Sequence, residues 1–183
     1  MGILKVLALI MAGFSNQAVA NISTASPMNV AGESYLNGSL YLTVLQKHQV
    51  DCLAKVIFFE ARGESIHGKT LVANVVRNRV QFGKPFATSI CKVVYQPNQF
   101  AWTRDKKKKA ISFMEVARIN SKLEQKAVLE SVEVAITYVI FEPKSITNAT
   151  HFCSKGEKCS FKRAKFLGKV GRHTFYEYEG NAS

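Results

Sequence analysis

The chain has 183 residues, of which 47% are hydrophobic and 21% are charged. This length suits one domain with a substantial buried core, and the lack of internal repeats or low-complexity tracts argues against a repeat array. The formal charge of +12 at pH 7 favours a polyanionic partner: nucleic acid, anionic lipid or an acidic bacterial envelope.

Residues 1–20 have the pattern of a secretory leader. Lys5 supplies the positive charge, residues 6–14 form an apolar centre, and Ala-Val-Ala at 18–20 matches a cleavage site. This apolar centre is too short to span a bilayer as a helix, which needs about 20 residues. A buried N-terminal helix and an uncleaved tether are the alternatives.

Cleavage of this leader after Ala20 would leave an exported protein. Because Lys5 is the only charged residue of the leader, the mature chain keeps a net charge of +11. Export makes the anionic envelope a better partner than nucleic acid. We therefore expect a periplasmic or extracellular monomer without stable membrane insertion.

The remaining chain divides into an arm and one domain. Residues 21–42 are rich in Asn, Ser, Gly and Ala and show little periodicity, which predicts a linker or a loosely docked N-terminal arm. Residues 43–183 are expected to form a single domain. Its periodicity predicts helical or short apolar segments that end at Glu60, span 70–82 and 89–95, and run from about 128 to 139 before Pro143.

The stretch Phe-Phe-Glu-Ala-Arg-Gly-Glu at 58–64 organises the domain. At about 100° per residue, Glu60 lies within roughly 60° of Leu53 and Ile57 on the apolar side of its helix. Such a carboxyl points into the core or a cleft, which should raise its pKa towards the value that a general acid needs. The alternative is a Glu at a frayed helix end that pairs with Arg62 or Lys55.

Two later segments carry aromatic or charged side chains. The irregular segment 96–103 combines amides with Phe100 and Trp102, which suits sugar recognition, although both rings could instead belong to the core. The four lysines at 106–109 are typical of a solvated charged turn, with a dedicated binding patch as the less favoured interpretation.

The aromatic-rich region 150–178 predicts short strands and loops that fold back over the helices. His151 and His173 together with Cys153 and Cys159 would suit a zinc site of an exported peptidase or amidase. However, Cys-x5-Cys is not a usual zinc pair, and the sequence has no His-Glu-x-x-His. A Cys153–Cys159 disulfide is the preferred interpretation in an exported chain, and Cys52–Cys91 is a second candidate pair.

Several of these motifs occur in the same order in one known family. Over about residues 50–176 the chain resembles the cell wall hydrolases of the spore-cortex-lytic (SleB-like) type. The loop closed by Cys153 and Cys159 is not part of the family pattern. The matching segments are Phe59–Glu64 with Gly68, the Val-Ala-Asn-Val-Val-Arg-Asn-Arg-Val run at 72–80, and the segments 94–102, 149–152 and 171–176.

The resemblance implies a mainly helical α+β fold of the lysozyme or lytic-transglycosylase type, with a short strand-and-loop C-terminal region. It implies that residues 43–183 are a catalytic domain that cleaves the β-1,4 bond between N-acetylmuramic acid (MurNAc) and N-acetylglucosamine (GlcNAc) of peptidoglycan. Glu60 would be the catalytic acid, and no metal or organic cofactor is called for. The residues expected to bind the glycan or lie near it are Glu64, Gln99, Phe100, Trp102, His151, His173 and Tyr176.

The number of carboxylates bears on the reaction, because glycoside hydrolysis usually needs a second one. The motif places only Glu64 near Glu60, and the sequence does not place Asp105, Glu115 or Glu142 opposite it. One carboxylate suffices if the muramic acid 6-hydroxyl attacks C1 of its own sugar, which favours a lytic transglycosylase that forms 1,6-anhydroMurNAc ends. The alternatives are a lysozyme-type muramidase and a non-catalytic basic module that binds glycan or nucleic acid.

Overall fold

A computed structural model describes residues 27–116 and 121–180, so the predicted leader lies outside the described residues. The helices form one body, and a small sheet covers one side of it. None of the described helices is long and apolar enough to cross a membrane. The helices are α1 (Pro27–Leu36), α2 (Val44–Ala61), α3 (Ile66–Phe82), α4 (Ile90–Val94), α5 (Lys106–Ala110), α6 (Phe113–Val116) and α7 (Lys122–Ile136).

Capping residues set the bounds of the central helices α2 and α3. Thr43 begins α2 with a capping box, in which its hydroxyl accepts from the Gln46 N–H and the Gln46 side chain accepts from the Thr43 N–H. The Ser65 hydroxyl accepts from the Gly68 N–H at 3.3 Å and caps α3. This cap starts α3 at Ile66, four residues before the start that apolar periodicity predicts.

The side chain of Lys69 holds the turn between α2 and α3. Lys69 is 1% exposed, and its ammonium group donates to the backbone oxygens of Arg62 and Glu64 at 3.2 and 2.7 Å. It also lies 3.0 Å from a carboxylate oxygen of Glu130 on α7. The buried cation therefore joins the end of α2, the turn and α7.

Helix α7 is the predicted amphipathic helix, and it packs against both α1 and α2. A π-helical turn, Thr137–Phe141, continues α7 and ends just before Pro143, which cannot continue a helix. Part of the segment that was predicted as a linker or a loosely docked arm is helix α1. Ala31, Tyr35 and Leu36 of α1 pack against the core, and this apolar contact supplies the order that the polar composition did not indicate.

The C-terminal region forms an antiparallel sheet of β1 (His151–Ser154), β2 (Ala164–Val170) and β3 (His173–Tyr178) in the order β1-β3-β2. The register pairs His151 with Tyr176 and Ser154 with His173. Short strands that fold back over the helices were predicted for this region, and the structure confirms them. β3 is the central strand, and its first residue, His173, is 2% exposed.

Polar residues of α3 anchor the chain that leads into β1. Asn78 donates to the backbone oxygens of Thr147 and Ala149 at 2.7 and 2.8 Å. Nε of Arg79 donates to the Thr150 oxygen at 2.6 Å. These hydrogen bonds fix the sheet on α3, because buried carbonyl groups need partners.

Both candidate disulfides are present: Cys52–Cys91 joins α2 to α4, and Cys153–Cys159 closes a short loop after β1. The sulfurs of the zinc alternative are thus bonded to each other and are not thiolate ligands. The cluster of His48, Cys52 and Cys91 likewise offers no thiolate ligands to a metal ion, because its two sulfurs form a disulfide.

Candidate active site

Glu60 lies in the last turn of α2, where its side chain is half-buried. Burial is the main cause that raises the pKa of this carboxyl to about 7; the negative charge of Glu157 raises it further, and the positive charge of Arg79 opposes the shift. A carboxyl group with a pKa near neutrality is protonated in a large fraction of molecules and can donate its proton. This is the property of a general acid.

Arg79 approaches Glu60 from α3 and is 4% exposed. Its guanidinium carbon lies 5.4 Å from the ring centres of both Phe86 and Phe100, a cation–π arrangement. Burial lowers the pKa of Arg79 to about 10, and the charge of Glu60 opposes this shift, so the group remains a cation at neutral pH. Arg79 was not among the predicted site residues, although a charged residue within an apolar helix face was a usable signal.

His173 lies beside the backbone of Glu60. Burial lowers the pKa of this histidine, and a hydrogen bond to the backbone of Glu60 opposes that shift, as do the charges of Glu64 and Glu157. The ring lies edge-on to Phe152 with centres 5.1 Å apart. Its Nδ1 atom has no hydrogen-bond partner among the described residues.

Glu64 holds the β2–β3 turn against the helical hairpin. Its carboxylate accepts from the backbone N–H of Arg172 at 3.2–3.3 Å. Gly171 has φ +56°, and a Cβ there would overlap the Glu64 carboxylate, so both backbone angle and space call for glycine. Because this contact holds Gly171 and Arg172, it places the next residue, His173, beside Glu60.

Glu64 is neither the ion-pair partner of Arg62 nor the acidic group that raises the pKa of Glu60. Arg62 lies 3.5 Å from a carboxylate oxygen of Glu124 and pairs with it. The acidic group that raises the pKa of Glu60 is Glu157. Nothing in the sequence distinguished Glu157, because its position depends on how a distant loop folds. Glycan binding by Glu64 stays a prediction.

A cavity of about 720 Å³ opens beside His173, between the disulfide-closed loop and the β2–β3 turn. Its volume is in the range of ligand pockets, about 300–1,000 Å³. Glu60 does not itself line this cavity; His173, which does, lies beside the Glu60 backbone. The other lining residues are Ser154, Lys155, Gly156, Glu157, Cys159, Phe166, Lys169, Gly171, Arg172, Thr174 and Tyr176.

The remaining predicted site residues lie in different environments. Tyr176 is half-buried and lines the cavity, whereas Phe100 and Trp102 are only 3% and 5% exposed. Trp102 stacks on Phe59 with ring centres 4.9 Å apart. These burial values fit the alternative that Phe100 and Trp102 are core residues that support α2 and Arg79.

His151 and Gln99 are half-buried. The His151 ring packs against Phe161 and Phe86, with ring centres 4.8 and 5.7 Å away, and burial lowers the pKa of this histidine to about 4. It is therefore neutral at physiological pH and unsuited to act as a cation there. Neither residue lines the 720 Å³ cavity, and glycan binding by either stays a prediction.

A half-buried, protonatable carboxyl near a polar cavity is the arrangement that a general acid requires. The family model described as cell wall hydrolase matches residues 63–176, which is more than half of the chain. The protein belongs to this family, as its motifs predicted, and is a wall-acting enzyme; the non-catalytic alternative is not retained. The match begins after Glu60, so the role of Glu60 rests on the site geometry and the motif resemblance.

Two solved structures share the fold. One is the catalytic domain of the germination-specific lytic transglycosylase SleB from Bacillus anthracis, at 22% identity and TM-score 0.50, covering 72% of this chain and 95% of that chain. The other is the catalytic domain of the Bacillus cereus SleB protein, at 21% identity and TM-score 0.50, covering 72% and 91%. No curated protein matches the chain. These similarities confirm the predicted mainly helical α+β fold class.

Proposed function

We propose that the protein is an exported peptidoglycan glycosidase that cleaves the β-1,4 bond between MurNAc and GlcNAc, with Glu60 as its acid. The observation that carries the proposal is the half-buried Glu60 carboxyl, with its pKa raised to about 7, next to a cavity of about 720 Å³. Membership of the cell wall hydrolase family supports peptidoglycan as the substrate.

The proposed reaction is lytic transglycosylation. Protonated Glu60 donates its proton to the glycosidic oxygen, the bond from C1 to that oxygen breaks, and positive charge develops at C1 of MurNAc. The 6-hydroxyl of the same sugar then bonds to C1 and returns its proton to the Glu60 carboxylate. No water is consumed, and the product is a 1,6-anhydroMurNAc end. The description of the Bacillus anthracis domain as a lytic transglycosylase supports this choice.

The cavity supports binding of an anionic glycan strand. Lys155, Lys169 and Arg172 line it and supply positive charge that would attract the carboxylates of muramic acid and of the wall peptides. Tyr176 offers an aromatic ring of the kind that packs on sugars. His173 would orient the acid through its hydrogen bond to the Glu60 backbone.

Replacement of Glu60 tests the proposal directly. Glu60→Gln keeps the shape of the side chain but cannot donate the proton, so wall-clearing activity should fall by about 100-fold to 10,000-fold. Glu115→Gln, which removes the same charge from an exposed helix, is the matched control and should stay active. A folded Glu60→Gln protein that clears wall suspensions near the parent rate would show that Glu60 is not the acid.

Lysozyme-type hydrolysis of the same bond is the second candidate, and the position of Glu157 favours it because a hydrolase uses two carboxylates. Digestion of purified sacculi in oxygen-18 water separates the two reactions. Transglycosylation gives unlabelled anhydro ends, one water lighter than reducing ends. Heavy oxygen at reducing muramic acid ends would establish hydrolysis and refute the transglycosylase proposal.

Export is proposed from the leader pattern of residues 1–20. Cleavage after Ala20 would give a mature chain that begins at Asn21. N-terminal sequencing of the periplasmic or secreted product checks this. An intact Met1 in a membrane fraction would instead support the uncleaved tether.

A further inference from the structure

The loop from Cys153 to Cys159 is fixed in place at one wall of the cavity. The Cys153–Cys159 disulfide closes it, and the Lys155 N–H donates to the Arg172 backbone oxygen at 2.6 Å, which ties the loop to the β2–β3 turn. Inside the loop, the Glu157 N–H donates to the Ser154 oxygen at 3.0 Å. The loop is thus held both by a covalent bond and by hydrogen bonds, although residues 155–159 are exposed.

Glu157 lines the cavity from within this loop. One of its carboxylate oxygens accepts from the Ser154 N–H at 2.8 Å, which fixes the direction of the side chain. Its negative charge helps raise the pKa of Glu60 and opposes the burial that lowers the pKa of His173. Glu157 and His173 line the same cavity. The β2–β3 turn that precedes His173 is held by Glu64, four residues after Glu60.

The titratable groups around Glu60 come from three elements. Arg79 of α3 opposes the raised pKa of Glu60, and Glu157 of the disulfide loop reinforces it. His173 of β3 bonds to the Glu60 backbone. Around Glu157 itself, the charged groups that share the cavity are Lys155, Lys169 and Arg172.

We propose that Glu157 is the second carboxylate of the active site, held by the disulfide-closed loop so that it faces the sugar on which Glu60 acts. This rests on the proposed glycosidase function. Glu157 forms no bond and transfers no proton. While the glycosidic oxygen takes the proton of Glu60 and the electron pair of the breaking bond, the Glu157 carboxylate stabilises the positive charge that develops at C1.

The negative charge of Glu157 also affects Glu60 before the reaction begins. A negative group near Glu60 disfavours its ionisation, which keeps the acid protonated at a higher pH than burial alone would allow. Two carboxyl groups in different environments, one protonated and one ionised, are the arrangement that glycosidases use. The competing explanation is that Glu157 only completes the loop through its hydrogen bond to Ser154.

Glu157→Gln separates these explanations, because the amide oxygen can still accept from the Ser154 N–H while the charge is lost. We expect activity on sacculi to fall on the order of a hundredfold. We also expect the alkaline limb of the pH–rate profile to move to lower pH, since Glu60 would then lose its proton earlier. The control is Glu179→Gln: Glu179 is exposed and follows the last residue of β3, six residues from His173 or about 20 Å at the usual rise of a strand.

An NMR titration of the Glu60 carboxyl carbon gives a readout that does not depend on activity. The pKa of Glu60 should fall in Glu157→Gln and stay unchanged in Glu179→Gln. An unmoved Glu60 titration, or a pH profile and rate equal to those of the control, would overturn the proposal. Failure of the parent enzyme to release muropeptides would refute the glycosidase function instead, and the titration would still decide whether Glu157 acts on Glu60.

Discussion

At the scale of single residues, the position that suits Glu60 to catalysis also makes it a source of instability. Ionising a half-buried carboxyl costs free energy, because the charge loses contact with water. Arg79 offsets part of this cost, and Glu157 adds to it. The carboxyl is thus held near its point of half-ionisation, where a group can both give and take back a proton.

This arrangement predicts that Glu60→Gln is more stable than the parent protein, and increasingly so as pH rises. Folding raises the pKa of Glu60 from 4.5 to about 7, so the folded state gains from the proton at low pH and loses that gain as pH rises through this window. Gln has no charge to lose. The melting temperature of Glu60→Gln relative to the parent should therefore increase between about pH 4.5 and pH 8.

Differential scanning calorimetry of both proteins across this pH range checks the prediction. Glu115→Gln is the control, because an exposed carboxyl should show little such dependence. A difference in melting temperature that stays constant from acid to alkaline pH would mean that Glu60 is not ionised against a desolvation cost.

At the scale of elements, the α2–α3 hairpin is held by a buried cation. Lys69 supplies donors to two backbone oxygens at the turn and to Glu130. Its removal takes this donor from both backbone oxygens and leaves Glu130 with only the longer contact to the exposed Lys126. Lys69→Met should lower the free energy of unfolding by about 3 kcal/mol, as expected when one member of a buried ion pair is lost.

Lys126→Met is a matched control, since Lys126 also lies near Glu130, at 3.8 Å, but its side chain is 73% exposed. Its removal should change the free energy of unfolding by no more than about 0.5 kcal/mol. Urea denaturation of both variants measures the difference. Equal losses in the free energy of unfolding would show that Lys69 stabilises the protein no more than a surface lysine does.

The β2–β3 turn provides a second test at this scale. Gly171→Ala puts a Cβ into the Glu64 carboxylate at φ +56°, so we expect a loss of about 2 kcal/mol in stability. Activity should fall as well, because the turn positions His173. Gly168→Ala on β2 meets no atom within 4 Å and should affect both far less. Parent-like stability and rate in Gly171→Ala would argue against the Glu64 contact as a positioning device.

At the scale of the whole molecule, the features that could be predicted are those set by the local sequence pattern. The periodicity of α2 located Glu60, and the cysteine spacing supported the Cys153–Cys159 loop. Contacts between distant segments escaped prediction: Glu64 meets Arg172 across 108 residues, and Lys69 meets Glu130 across 61. The sequence does not distinguish Glu64 or Glu130 from other acidic residues as the partner in these contacts, because the contacts form only when distant segments come together in the fold.

The two disulfides should contribute differently to the stability of the whole molecule and to its activity. Cys52–Cys91 closes a segment of 39 residues between two core helices, whereas Cys153–Cys159 spans 6 residues at the cavity. Because the entropy that a cross-link removes from the unfolded chain grows with loop length, the chain-entropy model gives about 4 kcal/mol for the first and about 2 kcal/mol for the second.

The double variant Cys52→Ala/Cys91→Ala should therefore lose more stability, yet keep its activity at temperatures where it is folded. Cys153→Ala/Cys159→Ala should lose less stability but most of its activity, because the loop that holds Glu157 is no longer closed. Denaturant titrations and wall-clearing rates on the same samples check both halves. If the second variant were less stable but fully active, the loop would matter only for folding, and Glu157 would not need to be held at the cavity.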